Sequence, residues 1–435
     1  MRPPCRARGR RADADGCLMS TLLFRLRMLL QSLSTRTGFV ALLSLAAALL
    51  AIPLPDIEPI RAVAEVLADG ALGSLLSTLS NTMLVIATFS LGTMASAFHA
   101  ASSNTTPRAV PLLLAGSKAQ NAVATFIGAF LFGMVARLGL LAGLYTPTAQ
   151  VCLFGVAVVV ITWVTTTLVG WVEEVTQLGR VGNTMERLRA EIVRSSDGPF
   201  GRPAFGGRER GAPREGGHDI LSERSGFVQN IDIEQLERRV GEEGGELRVL
   251  ARVGDRVWPG VVLGRVWGLS DDDADGLGDA WFIGAGRSFA ADPRYGFVLL
   301  GEIASRALSP GINDSGTAID ALAMVAHAVH ELAALEPSSR ERAWLVVDPV
   351  GVEDLVRDVL DPLVRDAAER LEVHRAWHVA LRDLAAADPG SAEVLALRAR
   401  QALERDVEGL RGHERQALAQ EVARLWREED PRPAG

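Results

Sequence analysis

The residues best suited to chemistry lie in one dense stretch, from Asp292-Pro293-Arg294-Tyr295-Gly296 through a predicted helix to Ser309-Pro310-Gly311-Ile312-Asn313-Asp314-Ser315. The carboxylates of Asp292 and Asp314, the Arg306 guanidinium and the Asn313 amide form a candidate functional corner. They could polarise a substrate, as in a hydrolase or transferase. The same residues have a simpler use. Asn313, Asp314 or Ser315 can cap the following helix, whose N-terminus also attracts anions, and capping is the expected role. Glu302 and Arg306 are four apart in the order that favours an ion pair. His374 and His378 could share a metal, but no third ligand is evident and a solvated helix face is expected. His327 and Glu331, with Asp320 two turns back, read as a surface network.

Several chemistries are excluded by composition. Lys118 is the only lysine among 45 basic residues, so the second half has no Walker lysine, no pyridoxal Schiff base and no attachment point for biotin or lipoate. Gly284 and Gly286 lack the third glycine of a dinucleotide fingerprint, and there is no G-x-S-x-G nucleophile elbow. Cys5, Cys17 and Cys152 are too scattered for a disulfide framework or a thiolate metal cluster. No cofactor and no metal is therefore expected.

The elements that must carry these residues begin with a membrane block over 38–172. Four apolar stretches, Gly38 to Leu54, Leu72 to Phe98, Ala119 to Leu141 and Val151 to Val172, are set against a hydrocarbon core that needs about 20 helical residues. The first is the shortest, reaching about 25 Å, and Pro53 and Pro55 stop it. No signal peptide is read ahead of it; residues 1–37 form a basic leader, with an interfacial helix over Leu22 to Leu33 and an alternative start at Met19. The arginines of this leader favour the cytoplasm and the acidic loop over 56–69 can face out, so an in, out, in, out, in path leaves both termini cytoplasmic. No Asp or Glu occurs between Gly70 and Val172, which argues against a proton-coupled or cation transporter. Asn81, in the most polar span, and Arg137 are the candidate intramembrane polar residues. A packing face and a snorkelling cation are their expected roles, ahead of a pore lining or an anion path.

Beyond Glu173 a juxtamembrane helix over 173–194 leads into a Gly-, Pro- and Arg-rich segment, 195–225, that reads as a disordered linker. An α+β domain over 226–350 follows, with strands at Gly226 to Asp232, Leu247 to Val253, Trp281 to Arg287 and Trp344 to Val347. The turn pairs Gly254-Asp255 and Pro259-Gly260 make its first part a β-ribbon like half of a barrel-sandwich module. Residues 351–429 read as charged amphipathic helices broken at Pro362 and at Pro389-Gly390. The part after Val172 carries about 14 net negative charges, a poor partner for nucleic acid. The fold class is thus membrane α-helical, with four transmembrane helices, plus a cytoplasmic α+β domain with a helical C-terminal part.

The stretch Ala101 to Phe132, the GFVQNID strand, GDRVWPG, FIGAGRSFAADPRYG and RALSPGIND, in that order over Phe39 to Asp348, resemble the bacterial predicted membrane proteins called domain of unknown function twenty-two fifty-four. That family reads Pro-Phe where this chain has Ser315 and Gly316. The resemblance implies a bacterial inner-membrane protein with four spans and a cytoplasmic domain, and no activity, substrate or cofactor. The expected function is non-enzymatic: a membrane protein whose acidic cytoplasmic domain senses or scaffolds, with the lipid bilayer as partner and the ligand left open. The alternative is a channel or permease for small solutes or ions, built as a homo-oligomer because four spans without internal charges enclose little alone.

Overall fold

A computed structural model of the chain describes residues 33–426 except 59, 61–69, 115–117, 179, 197, 210, 212–213, 290 and 337–339. Residues 1–32 of the basic leader, most of the acidic loop over 56–69 and residues 427–435 thus fall outside the described residues. The chain divides into two units, Met1–Arg180 and Val181–Gly435.

Among the described residues the first unit has four long helices, α1 (Leu33–Leu50), α2 (Ala71–Asn104), α3 (Lys118–Leu141) and α4 (Pro147–Leu178), with a short helical stretch, Val110–Leu114, between α2 and α3. The last three are long and apolar enough to cross a membrane. α1 is not, on its own: its described apolar part is the shorter Gly38–Leu50, so three rather than four helices meet that measure. More than half of the apolar window of α3 is buried (56%, against 22% for α2 and 17% for α4), which makes α3 the inner helix. Glycines explain how closely its neighbours approach. A Cβ on Gly128 would lie 2.5 Å from Val40 of α1, and one on Gly133 would lie 2.5 Å from the Ser80 hydroxyl of α2. Tyr145 donates to the Ala48 carbonyl (3.1 Å), Thr148 donates to Asp56 (2.9 Å), and Gly73 lies against Leu140. The end of α1, the start of α2, the end of α3 and the start of α4 therefore share one end of an up-and-down bundle. Ser80, Thr78, Thr88 and Thr93 each donate to the carbonyl four residues earlier, so these hydroxyls of α2 are satisfied within their own helix.

The second unit opens with α5 (Val181–Ser195) and contains two small sheets. The strands are β1 (His218–Leu221), β2 (Gly226–Ile231), β3 (Glu246–Val249), β4 (Arg256–Val257), β5 (Val262–Trp267), β6 (Trp281–Gly284) and β7 (Leu345–Val346). One sheet has the order β1-β5-β3-β7, antiparallel except for the β3–β7 pair, and the other has the order β4-β2-β6. Inward residues of both, among them Val228, Leu247, Val249, Leu263, Val266 and Trp281, form one core. Gly254 and Gly260, both with φ near +90°, make the tight reversals expected at Gly-Asp and Pro-Gly.

Three departures from the sequence reading concern this unit. Residues 195–225 are not a bare linker. β1 lies within them, and Phe200 and Gly201 donate to the carbonyls of Leu332 (3.3 Å) and Val350 (3.1 Å). Two aromatics, Phe200 and Phe205, anchor a stretch whose Gly, Pro and Arg content hides any periodicity; Phe200 packs edge-on to Phe297. Second, Pro362 does not break a helix. It follows directly on a π-helical turn, Val356–Leu360, where the Asp361 N–H bonds the Val356 carbonyl and the widened ladder accommodates the proline ring, and the chain turns instead at Ala368, whose φ is +47°. Third, His374 and His378 are not on a solvated face: they are 0% and 1% exposed.

α6 (Pro293–Ala307) and α7 (Ser315–Ala333) form the helical corner, and Val352–Leu355, Val356–Leu360 and α8 (Asp361–Ala367) run on beside α6. α9 (Leu371–Ala387) packs on α7, with α10 (Ala392–Arg405) and α11 (Gly412–Leu425) outside it.

Candidate ligand-binding cavity

The corner picked out by composition is mostly architecture. Asp314 accepts from the Thr317 amide (3.0 Å) and hydroxyl (2.7 Å), which caps α7 and holds its carboxyl below the usual range. Asn313 takes the left-handed conformation (φ +52°) that asparagine tolerates, and its side-chain oxygen accepts two bonds from Arg370 (3.1 and 2.7 Å). Arg370 also donates to the Leu308 carbonyl (3.0 Å), so it clamps the α6–α7 turn. Arg306 makes no side-chain hydrogen bond or ion pair among the described residues. Asp292 is not with them. It caps the opposite end of α6 through the Tyr295 amide (3.1 Å), about 22 Å away along a 15-residue helix.

That other end of α6 borders a cavity of about 280 Å³. Its apolar lining comes from the docked segment after α5 (Phe200, Phe205), the sheets (Ile231, Val249, Val347) and α7 (Leu332). Its charged lining is Arg202, Arg252, Asp292, Arg294 and Asp348, with Arg194. Charges held this far from water must be matched, and most are. Arg287 donates to Asp292 (2.8 Å) while lying 4.7 Å over the Tyr295 ring. Asp292 is 2% exposed, and burial pushes its carboxyl up against the pull of Arg287. Arg252 grips Asp354 with two bonds (3.0 and 2.9 Å) and donates a third to the Pro349 carbonyl (2.9 Å). Burial alone would raise the Asp354 carboxyl; the bonds and charge of Arg252, with help from Arg357 and Arg294, outweigh it and hold it low. Arg294 bonds Asp255 (3.0 Å), and the charge of Asp348 acts on Arg252. One network thus joins the β3–β4 turn, the start of α6 and the start of the C-terminal helices beneath the cavity. Arg202 stands outside it. This exposed guanidinium has no acid partner among the described residues.

Of the residues flagged from the sequence, only Asp292 reaches this cavity. Arg202 and Arg252 escaped, and Arg294 was seen only as part of the Asp292–Gly296 stretch, because their acid partners, or lack of one, are set by tertiary contacts; the further sequence signal was the pair of phenylalanines in Phe200-Gly201-Arg202-Pro203-Ala204-Phe205. In the first unit Asn81 and Arg137 are both exposed, on α2 and α3 respectively. His374 has one ring nitrogen 3.0 Å from the Ala368 carbonyl, and burial lowers both imidazoles, His378 to about 3. No group of three or more potential metal ligands occurs among the described residues.

Long apolar helices followed by an α+β unit of small sheets and helices define a predicted membrane protein. The chain belongs to the family described as Predicted membrane protein (DUF2254), whose model matches residues 31–383. It is also similar to uncharacterised proteins of Mycobacterium bovis and Mycobacterium tuberculosis, 31% identical over 133 residues, which is 28% of this chain and 24% of each relative. The matched region is about a quarter of the length of those relatives. No solved structure matches the chain.

Proposed function

We propose that this is a membrane-anchored sensor: a multi-pass cell-membrane protein, both termini cytoplasmic, whose second unit binds a small ligand in the cavity bordered by Phe200, Arg252 and Asp292. The short α1 crosses as the fourth span by packing on α3, with its ends at the interfaces. The observation that carries the sensing role is the position of the cavity. Its wall is made at once by the segment that follows α5, by both sheets and by α6, and an ion network links those parts to the C-terminal helices. A ligand there would fix the segment 194–205 against the sheet and load the network through Arg252 and Arg294. Pockets of this kind, apolar with a few convergent polar groups, are the usual small-molecule sites of a protein. The test is hydrogen exchange of the full chain in nanodiscs, with and without an extract of small metabolites. Protection confined to 194–205 and the start of α6 is expected; exchange unchanged in both segments would contradict the reading.

A further inference from the structure

We infer that the cavity selects a single-chain or single-ring amphiphile, with an anionic carboxylate or phosphate head at Arg202 and an apolar body inside. This rests on the sensing reading of the same cavity. The argument is one of unspent charge. Of the two acids lining the cavity, Asp292 is engaged by Arg287, while Asp348 has no hydrogen bond or ion pair among the described residues and lies in the field of Arg252; off the lining, Asp354 is held by Arg252 and Asp255 by Arg294. Arg194, at the mouth, is bound to the buried Glu191 (2.6 and 2.8 Å). A cationic ligand would find one unpaired carboxylate, Asp348, against three lining guanidinium groups, Arg202, Arg252 and Arg294, that repel it. A neutral polar ligand would have to desolvate against Phe200, Phe205, Val249 and Leu332 with little in return. Arg202 is the one lining guanidinium without an acid partner among the described residues, and a planar fork of donors is suited to a carboxylate or phosphate. The volume sets the body. About 280 Å³ is just below the usual range of ligand pockets, enough for one short chain or one ring and too little for a two-chain lipid.

The full chain in nanodiscs of zwitterionic lipid is titrated with octanoate, octylamine and octanol, followed by calorimetry and by melting. Saturable octanoate binding is expected, at least tenfold tighter than either of the other two, weakened about tenfold in Arg202→Gln and lost in Ala204→Leu, which fills the cavity from its lining. Melting of both variants without octanoate keeps a folding defect distinguishable from a binding defect. Octylamine or octanol binding as well as octanoate does, lost in Ala204→Leu, would overturn the anion selection while leaving the cavity as a ligand site. Octanoate binding unchanged in both variants would place the ligand elsewhere and overturn the inference. Nanodiscs containing anionic phosphatidylglycerol test the other source of such a head: if that lipid alone raises the melting temperature through Arg202, a membrane lipid is the ligand and the small amphiphile is overturned.

Discussion

Removing Arg252 should cost the second unit more than any exposed charge does. Asp354 is 7% exposed and receives two hydrogen bonds from Arg252 and one from Arg357. Arg252→Met keeps most of the volume and deletes the guanidinium, leaving a buried carboxylate held by Arg357, itself 59% exposed, by the Gly351 N–H at 3.4 Å and by Arg294 at 3.9 Å. Breaking a buried pair typically costs about 3–5 kcal/mol; the residual partners place this case near the lower end, about 3 kcal/mol. For a unit of this size that corresponds to a fall of about 6–12 °C in Tm. Arg357→Gln, at the exposed end of the same carboxylate, should cost no more than about 1 kcal/mol. The double change Arg252→Met with Asp354→Leu should recover most of the loss, because no unpaired charge remains. Differential scanning fluorimetry of the detergent-solubilised full chain, read on the transition of the second unit, measures all three. A loss below about 1 kcal/mol for Arg252→Met, or a double variant as unstable as the single one, would refute the view that this network is a matched buried charge system.

Acid should destabilise the helical part through His378. Its imidazole takes up a proton near pH 6.5 when unfolded but only at about 3 when folded, so the unfolded state binds more protons across that window and stability falls as pH is lowered through it. By pH 5 the loss should be about 2 kcal/mol, and it should shrink in His378→Leu; an unchanged pH slope in that variant would remove His378 as the cause. Asp314→Ala should cost about 1 kcal/mol by loss of a cap, and Asp314→Asn much less, measured by the same melts. A far larger effect on ligand binding than on melting would reinstate Asp314 as a functional residue. Gly133→Val should destabilise the membrane unit by about 1–3 kcal/mol, since its Cβ would meet Ser80, whereas Gly155→Ala, with open space around it, should be neutral. Equal effects of the two on detergent-resistant folding would contradict α3 as the close-packed inner helix.

Where the sequence is periodic or punctuated, the fold could be read from it. The long apolar runs gave α2, α3 and α4 because hydrocarbon demands uninterrupted apolar helix, and Gly-Asp and Pro-Gly marked the turns because only glycine accepts their positive φ. The helix end at Asp314 was legible as a cap for the same local reason, whereas Asp292, read from the sequence as a corner carboxylate, caps α6 instead. What was not legible depends on contacts between distant residues. Nothing in the spacing of His374 and His378 says that α7, α8 and α10 will bury them, and Gly and Pro content alone could not show that Phe200 and Phe205 pin the segment 195–225 in place. The cavity follows the same rule: its charges come from five separate stretches, and only their pairing in three dimensions singles out Arg202.

The most direct test is native mass spectrometry of the full chain released gently from its own membranes, beside Ala204→Leu. The sensing account predicts a monomer or small oligomer carrying a reproducible extra mass of a small anionic amphiphile, absent from Ala204→Leu. A closed ring of subunits without any small molecule, and identical spectra for the two proteins, would contradict it and favour a pore.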